Sequence, residues 1–385
     1  MNRNNISSGK RSLEDLIYNN YAVLIKWTGC LQEDYYKLSH DYYTCGKDLL
    51  QYVNSNKRQP DITDNCFLSA VYLMRHAIEL VIKAIICQVY SKHEIQEIFE
   101  DHQHDVYNLW LLCNREKVNY ITDSEMLWLI NYLRSMEEID NKSDTFRFPF
   151  SDAFLDRYKN KSLDIVLMTK SSTQAYNLLK KHWLKGQSTS FEFKKKYKAN
   201  FIIESKSGLN NCYLFQSFFD KGFEAKTTGY IQAAKHLFYK RNIPKEKLFF
   251  PIIFILRNTL ELCLKNALSM ELSFWNGKKK GNGNGHLLKK ELWKKVKPLL
   301  SHYAELNKYD LTFIDKYERF IYKIDRLDKN GDMFRYPTSY NLAPRMNNKI
   351  YDLKNIYLYF KELITFLCGC NTMLEVAYDY ENQAY

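Results

Sequence analysis

The chain of 385 residues is 45% hydrophobic and 15% aromatic, enough for a sizeable buried core, and this excludes an intrinsically disordered class. Only 13 Gly and 7 Pro exclude collagen-like and Gly/Pro-rich chains. With 56 Lys+Arg against 44 Asp+Glu the net charge is +12, which favours anionic partners, nucleic acid first, and says nothing of fold.

Residues 1–29 open with MNRNNISSGKRSLEDL, a polar stretch with no apolar signal region. The nine cysteines are odd in number and irregularly spaced, and only Cys368 and Cys370 approach a motif, as C-x-C. They read as small hydrophobes in a reducing cytoplasm rather than as disulfides or zinc ligands. No run of about 18 uncharged apolar residues exists, so no membrane span is expected. The best stretch, 248–256, is ended by Arg257.

Residues 66–90, CFLSAVYLMRHAIELVIKAIICQVY, predict a central helix that is apolar on nearly every side. Its charges Arg75, Glu79 and Lys83 stand at i, i+4 and i+8 and so share one stripe. A second helix is expected from Asp105 or Val106, carrying Leu109 and Trp110, and a third over 122–138. Pro149 stops regular structure, and a last helix follows over 162–183. Residues 184–212 form a basic linker. Within it Phe191, Phe193, Lys195 and Tyr197 alternate with mostly polar residues, which predicts a short β-hairpin.

The second half repeats these signposts. Arg257, Glu261, Lys265 and His286 match Arg75, Glu79, Lys83 and His104, each 182 residues on (257 − 75, 261 − 79, 265 − 83, 286 − 104). The motif DNKSDTFRFP at 140–149 matches DKNGDMFRYP at 328–337 with a shift of 188 (328 − 140). Further helices are expected over 310–326 and 350–373. The expected fold is therefore all-α: two tandem helical bundles related by internal duplication, at 30–183 and 213–372, with a tail at 373–385. The two copies are expected to pair as an intramolecular pseudo-dimer.

E-x3-K-A at 79–84, followed by His104-Asp105-x3-Leu109, resembles the HEPN superfamily. That likeness implies small all-helical bundles of the kind found in prokaryotic antiviral and abortive-infection systems. Nucleolytic HEPN domains are similar in carrying R-x4-6-H. Arg75-His76 and Arg257-Asn258 match its first half, but the sixth position is Leu80 or Leu262. Metal-independent RNA cleavage needs a group that shuttles a proton near neutral pH, and Leu cannot do so. The leading expectation is an RNA-associated, non-catalytic protein of such a system. One alternative is a ribonuclease using Arg75 or Arg257 with His76, His104 or His286. The other is a protein-interaction scaffold with a basic face.

Each feature also has a structural explanation. The stripes can pair with the repeated motif, giving a polar network of Glu79, Lys83, Asp140, Asp144, Arg147, Glu261, Lys265, Asp328, Asp332 and Arg335, because buried charges require partners. The alternative is an anion site clamped by the two arginines. His93, His102, His104, Asp101 and Asp105 cluster in sequence, but the second copy keeps only His286, so no metal and no cofactor is expected. Lys194, Lys195 and Lys196, and Lys278, Lys279 and Lys280, are the candidate contacts to RNA or another anionic partner.

Overall fold

The computed structural model describes residues 12–113, 120–158, 161–187, 190–205, 211–214, 220–276 and 285–383. Over these the fold is all-α, with two short two-stranded sheets. Among the described residues no helix is long and apolar enough to cross a membrane. The chain divides into two compact units, neither of them one continuous stretch.

The larger unit comprises Lys26–Ile255 and Arg335–Asn348. Its first helix, α1 (Leu31–Ser55), starts where Asp34 reaches back to accept the Thr28 and Gly29 backbone N–H groups, at 2.7 and 3.1 Å. A wide helical turn, Asp61–Cys66, leads straight into α2 (Phe67–Val89), and every residue of α2 from Phe67 to Ile86 is buried. Helix α1 packs along α2 closely enough that a Cβ on Gly46 would lie 3.1 Å from Met74.

Helix α3 (Lys92–His102) opens with a capping box of Ser91 and Glu94, and α5 (Asp123–Asp140) with one of Thr122 and Glu125. Between them stands α4 (Val106–Cys113), with the buried Leu109 and Trp110 facing the core. After α6 (Asp152–Tyr158), strand β2 (Ser162–Asp164) runs into α7 (Ile165–Trp183), whose N-cap Asp164 accepts the Leu167 N–H at 2.8 Å.

Among the described residues, the alternating stretch 191–197 of the linker forms no hairpin. Residues 191–201 are irregular because their backbone groups bond to helix side chains instead. Gln174 bonds both backbone groups of Lys194, Trp128 donates to the Tyr197 carbonyl at 2.6 Å, and Ser171 donates to that of Lys198 at 2.8 Å. The β-pairing lies further on, where β3 (Asn211–Tyr213) runs antiparallel to β2 with Leu163 opposite Cys212.

Helix α8 (Phe223–Phe238) crosses the wide turn at Gly229, where any Cβ would fall 2.2 Å from the Asn65 carbonyl oxygen. Helix α9 (Lys245–Ser269) contains Pro251, which cannot donate to the Lys247 carbonyl; Cys45 donates its thiol there at 3.6 Å.

The smaller unit comprises Met1–Ile25, Leu256–Phe334 and Lys349–Tyr385. It holds the C-terminal part of α9, then α10 (Lys294–Leu306), α11 (Thr312–Leu327) and α12 (Leu353–Gln383). Strands β1 (Ala22–Ile25) and β4 (Lys349–Asp352) pair antiparallel, with Ala22 opposite Asp352. Helix α11 is strongly amphipathic: Ile314, Tyr317, Phe320, Ile321 and Ile324 are its buried face.

Candidate functional site

The charged stripe of α2 lies in the core of the larger unit. Arg75 and Glu79 are fully buried, and Lys83 is nearly so. Arg75 donates Nη1 to Glu79 Oε2 and Nη2 to the His104 carbonyl at 2.8 Å, while its Nε lies 3.3 Å from Asp140 Oδ2. Asp140 is held for this role at the end of α5, because its other oxygen accepts the Asp144 and Thr145 N–H groups at 2.8 and 2.9 Å. Glu79 Oε1 then accepts from Lys83 at 3.1 Å, from His104 Nδ1 at 3.1 Å and from the Tyr336 hydroxyl at 2.6 Å. The contact to the Glu79 carboxylate, which can only accept, leaves Nδ1 of His104 as the protonated nitrogen.

The smaller unit carries the same geometry on α9. Arg257 donates Nη1 to Glu261 at 3.0 Å and Nη2 to the His286 carbonyl at 3.0 Å, and its Nε lies 3.3 Å from Asp328. Glu261 accepts from Lys265 at 3.0 Å and from His286 Nδ1 at 2.7 Å. Asp328 accepts the Met333 N–H at 2.9 Å, five residues on, as Asp140 does from Thr145. Both loops pass through left-handed backbone at matching positions, Ser143 with φ 58 and Gly331 with φ 74. A Cβ on Gly331 would lie 3.3 Å from the Arg257 guanidinium.

Burial by itself would raise the Glu79 carboxyl, but Lys83, His104 and Arg75 outweigh it and hold the group well below the usual carboxylate range. Glu261 is depressed in the same way, with burial opposed by His286, Arg257 and Lys265. Burial lowers His104 to about 4 despite the pull of Glu79, so this imidazole is neutral at physiological pH. The two histidines differ in access: the His104 side chain is 21% exposed and that of His286 49%.

The other expected residues fall into different surroundings. His76 is fully buried among Tyr42, Tyr72 and Phe254, donates Nε2 to the Arg335 carbonyl at 2.9 Å, and is held far below the usual histidine range by burial. Leu80 and Leu262, at the sixth position of the motif, are fully buried apolar core. Arg147 lies over the rings of Phe148 and Tyr72 at 4.6 and 5.8 Å, and Arg335 over the Tyr336 ring at 5.4 Å. Asp144 contributes backbone: its N–H goes to Asp140, and its carbonyl accepts from Arg147 and Phe148. Asp332 is buried beside its motif.

Lys195 and Lys196 are exposed, whereas Lys194 pairs with Glu192 at 2.5 Å. Lys278, Lys279 and Lys280 lie outside the described residues. His93 pairs with Glu97 at 3.5 Å on the surface of α3. Among the described residues no grouping of three or more His, Cys, Asp or Glu could hold a metal ion.

Sequence reasoning missed Tyr336. The signal was present, since the motif reads F-R-F-P with Phe148 but F-R-Y-P with Tyr336, and the added hydroxyl is what bonds Glu79. It also missed the buried Lys226, which donates to the Thr145 carbonyl at 2.8 Å and to that of Phe148, and so ties α8 to the motif loop. No protein-family model, curated protein or solved structure matches the chain.

Proposed function

We propose that the protein is a HEPN-like, RNA-associated component of a prokaryotic antiviral or abortive-infection system that binds RNA without cutting it. The observation that carries this reading is the closure of Arg75. Its guanidinium is fully buried and already committed to Glu79, Asp140 and the His104 carbonyl, so a phosphate would have to displace two carboxylates to reach it. The neutral, largely buried His104 beside it is poorly placed to exchange protons with a substrate. Binding is supported by the net charge of +12 and by the exposed Lys195, Lys196 and Lys198.

The test uses the purified full chain with labelled single-stranded RNA in EDTA. Intact RNA over hours is expected, together with an affinity that falls with salt by a slope of about 0.7 per phosphate neutralised. Lys195→Gln with Lys196→Gln should flatten that slope. Failure to bind or cut at about 100 mM salt would favour the scaffold reading.

A second reading rests on His286. This imidazole is half exposed and oriented by Glu261 at 2.7 Å, an arrangement in which a carboxylate fixes the tautomer of a general base. RNA cleavage in EDTA that His286→Ala abolishes and His104→Ala leaves intact would establish the ribonuclease in place of the binder.

A further inference from the structure

In the smaller unit, helices α10, α11 and α12 enclose an open groove of about 1080 Å³. A neighbouring depression of about 530 Å³ shares Phe313, Thr365 and Phe366 with it, so the furrow continues along α12. Leu306 and Val376 on its walls are each 64% exposed, and Phe313 is 52% exposed. Single exposed apolar side chains are ordinary; several converging on one depression mark a surface built to be covered. At Gly369 on the lining an added Cβ would meet nothing within 4 Å, so there is room for an incoming side chain. The end of α12 is already held, because Glu381 accepts from the Tyr303 hydroxyl at 2.6 Å and from the Ser273 N–H and hydroxyl, each at 2.7 Å. The groove is therefore preformed, which lowers the cost of filling it.

Charge identifies the occupant. Glu381 lines the groove, Glu375 and Asp379 are exposed on α12 beside the lining residues Val376 and Tyr380, and the lining holds no Lys or Arg, in a chain whose net charge is +12. The neighbouring depression carries Lys361 and Glu362, the latter paired with Lys316 at 2.8 Å. Asp310 adds another carboxylate to the lining. A second copy would bring the same acidic face against this one, which like-charge repulsion opposes. We infer that this groove is a docking site for a basic amphipathic helix of a partner protein, its apolar side chains at i, i+3, i+4 and i+7 entering the furrow and its Lys or Arg residues meeting the acidic rim. This function is separate from the RNA association proposed above and stands without it.

The probe is a fluorescein-labelled synthetic helix with Leu at those positions and Lys elsewhere, followed by anisotropy against the full chain. One control keeps the Leu pattern and replaces Lys with Glu; another keeps the composition and scrambles the Leu positions. The Lys helix should bind about tenfold or more tighter than either control. Gly369→Trp should weaken it by a similar factor with no change in the thermal melt. Glu375→Lys with Asp379→Lys, which leaves the furrow itself intact, should reverse the preference towards the Glu helix. Equal binding of the scrambled peptide, no binding of the Lys helix, or indifference to both sets of substitutions would each overturn the inference. So would a dimer in light scattering that Gly369→Trp dissociates, which would assign the groove to a second copy. Displacement of the Lys helix by a fatty acid at equal occupancy in both charge backgrounds would assign it to a small apolar ligand.

Discussion

Tyr336 donates its hydroxyl to Glu79 at 2.6 Å although 257 residues separate them in sequence. The contact adds a neutral donor to a carboxylate that also accepts from Arg75, Lys83 and His104. Burial pushes the Tyr336 hydroxyl well above its usual range, so it stays protonated and donating. Tyr336→Phe keeps the ring over which Lys83 sits at 4.6 Å and removes only the donor. It should cost about 1.5–3 kcal/mol in urea unfolding, the range for a hydrogen bond to a buried charge.

Glu79 and Glu261 are the anionic hubs of the two networks. Glu79→Ala leaves Arg75 and Lys83 buried without their shared carboxylate and should cost about 3 kcal/mol or more. Glu261→Ala should cost less, because the His286 it releases is half exposed and can be solvated. Paired denaturation curves check the order. A loss below about 0.5 kcal/mol for Glu79→Ala would contradict a fold-defining network.

The loops that deliver Asp140 and Asp328 depend on left-handed backbone. Gly331→Ala places a methyl group at φ 74 and 3.3 Å from the Arg257 guanidinium, and should destabilise by about 1–2 kcal/mol. Ser143→Gly, at φ 58, relieves the same conformation and should change stability by less than about 1 kcal/mol. Thermal melts of the two variants should move in clearly different amounts.

His182 supplies a pH test away from both networks. It is 6% exposed, meets Trp110 and Tyr120 edge-on, and burial lowers it to about 4 from the usual 6.5. The unfolded chain therefore takes up this proton below about pH 6.5 while the folded chain refuses it until about pH 4. Its share of stability is intact above that window and is lost as pH falls through it, by up to about 3 kcal/mol. His182→Phe should flatten the decline between pH 6.5 and 4, measured as the difference in unfolding free energy from the native chain. Equal slopes would show that His182 is protonated in the folded state. His40 and His104, each lowered to about 4 by burial, and His76, held lower still, contribute in the same direction to the slope that remains.

The helices were largely legible from sequence, because their rules are local. Apolar periodicity located α2, α5 and α7 to within a few residues, and Arg75, Glu79 and Lys83 at four-residue spacing had to share a face. The paired spacing of Arg257, Glu261, Lys265 and His286 likewise pointed to a second site, whose contacts match the first.

Other features depended on tertiary structure. Alternation over 191–197 predicted strands, but nearby Gln174, Ser171 and Trp128 satisfied the backbone groups a hairpin would have paired. The closure of Arg75 required Asp140 and the His104 carbonyl, set by the ends of two other helices, and Tyr336 entered from a segment no local pattern links to Glu79. The groove beside Gly369 arose from what three helices left uncovered. Sequence determines which residues can be buried and paired, because those preferences lie in each side chain and its spacing; which atoms meet, and which apolar faces stay open, is decided only when distant segments compete for the same space.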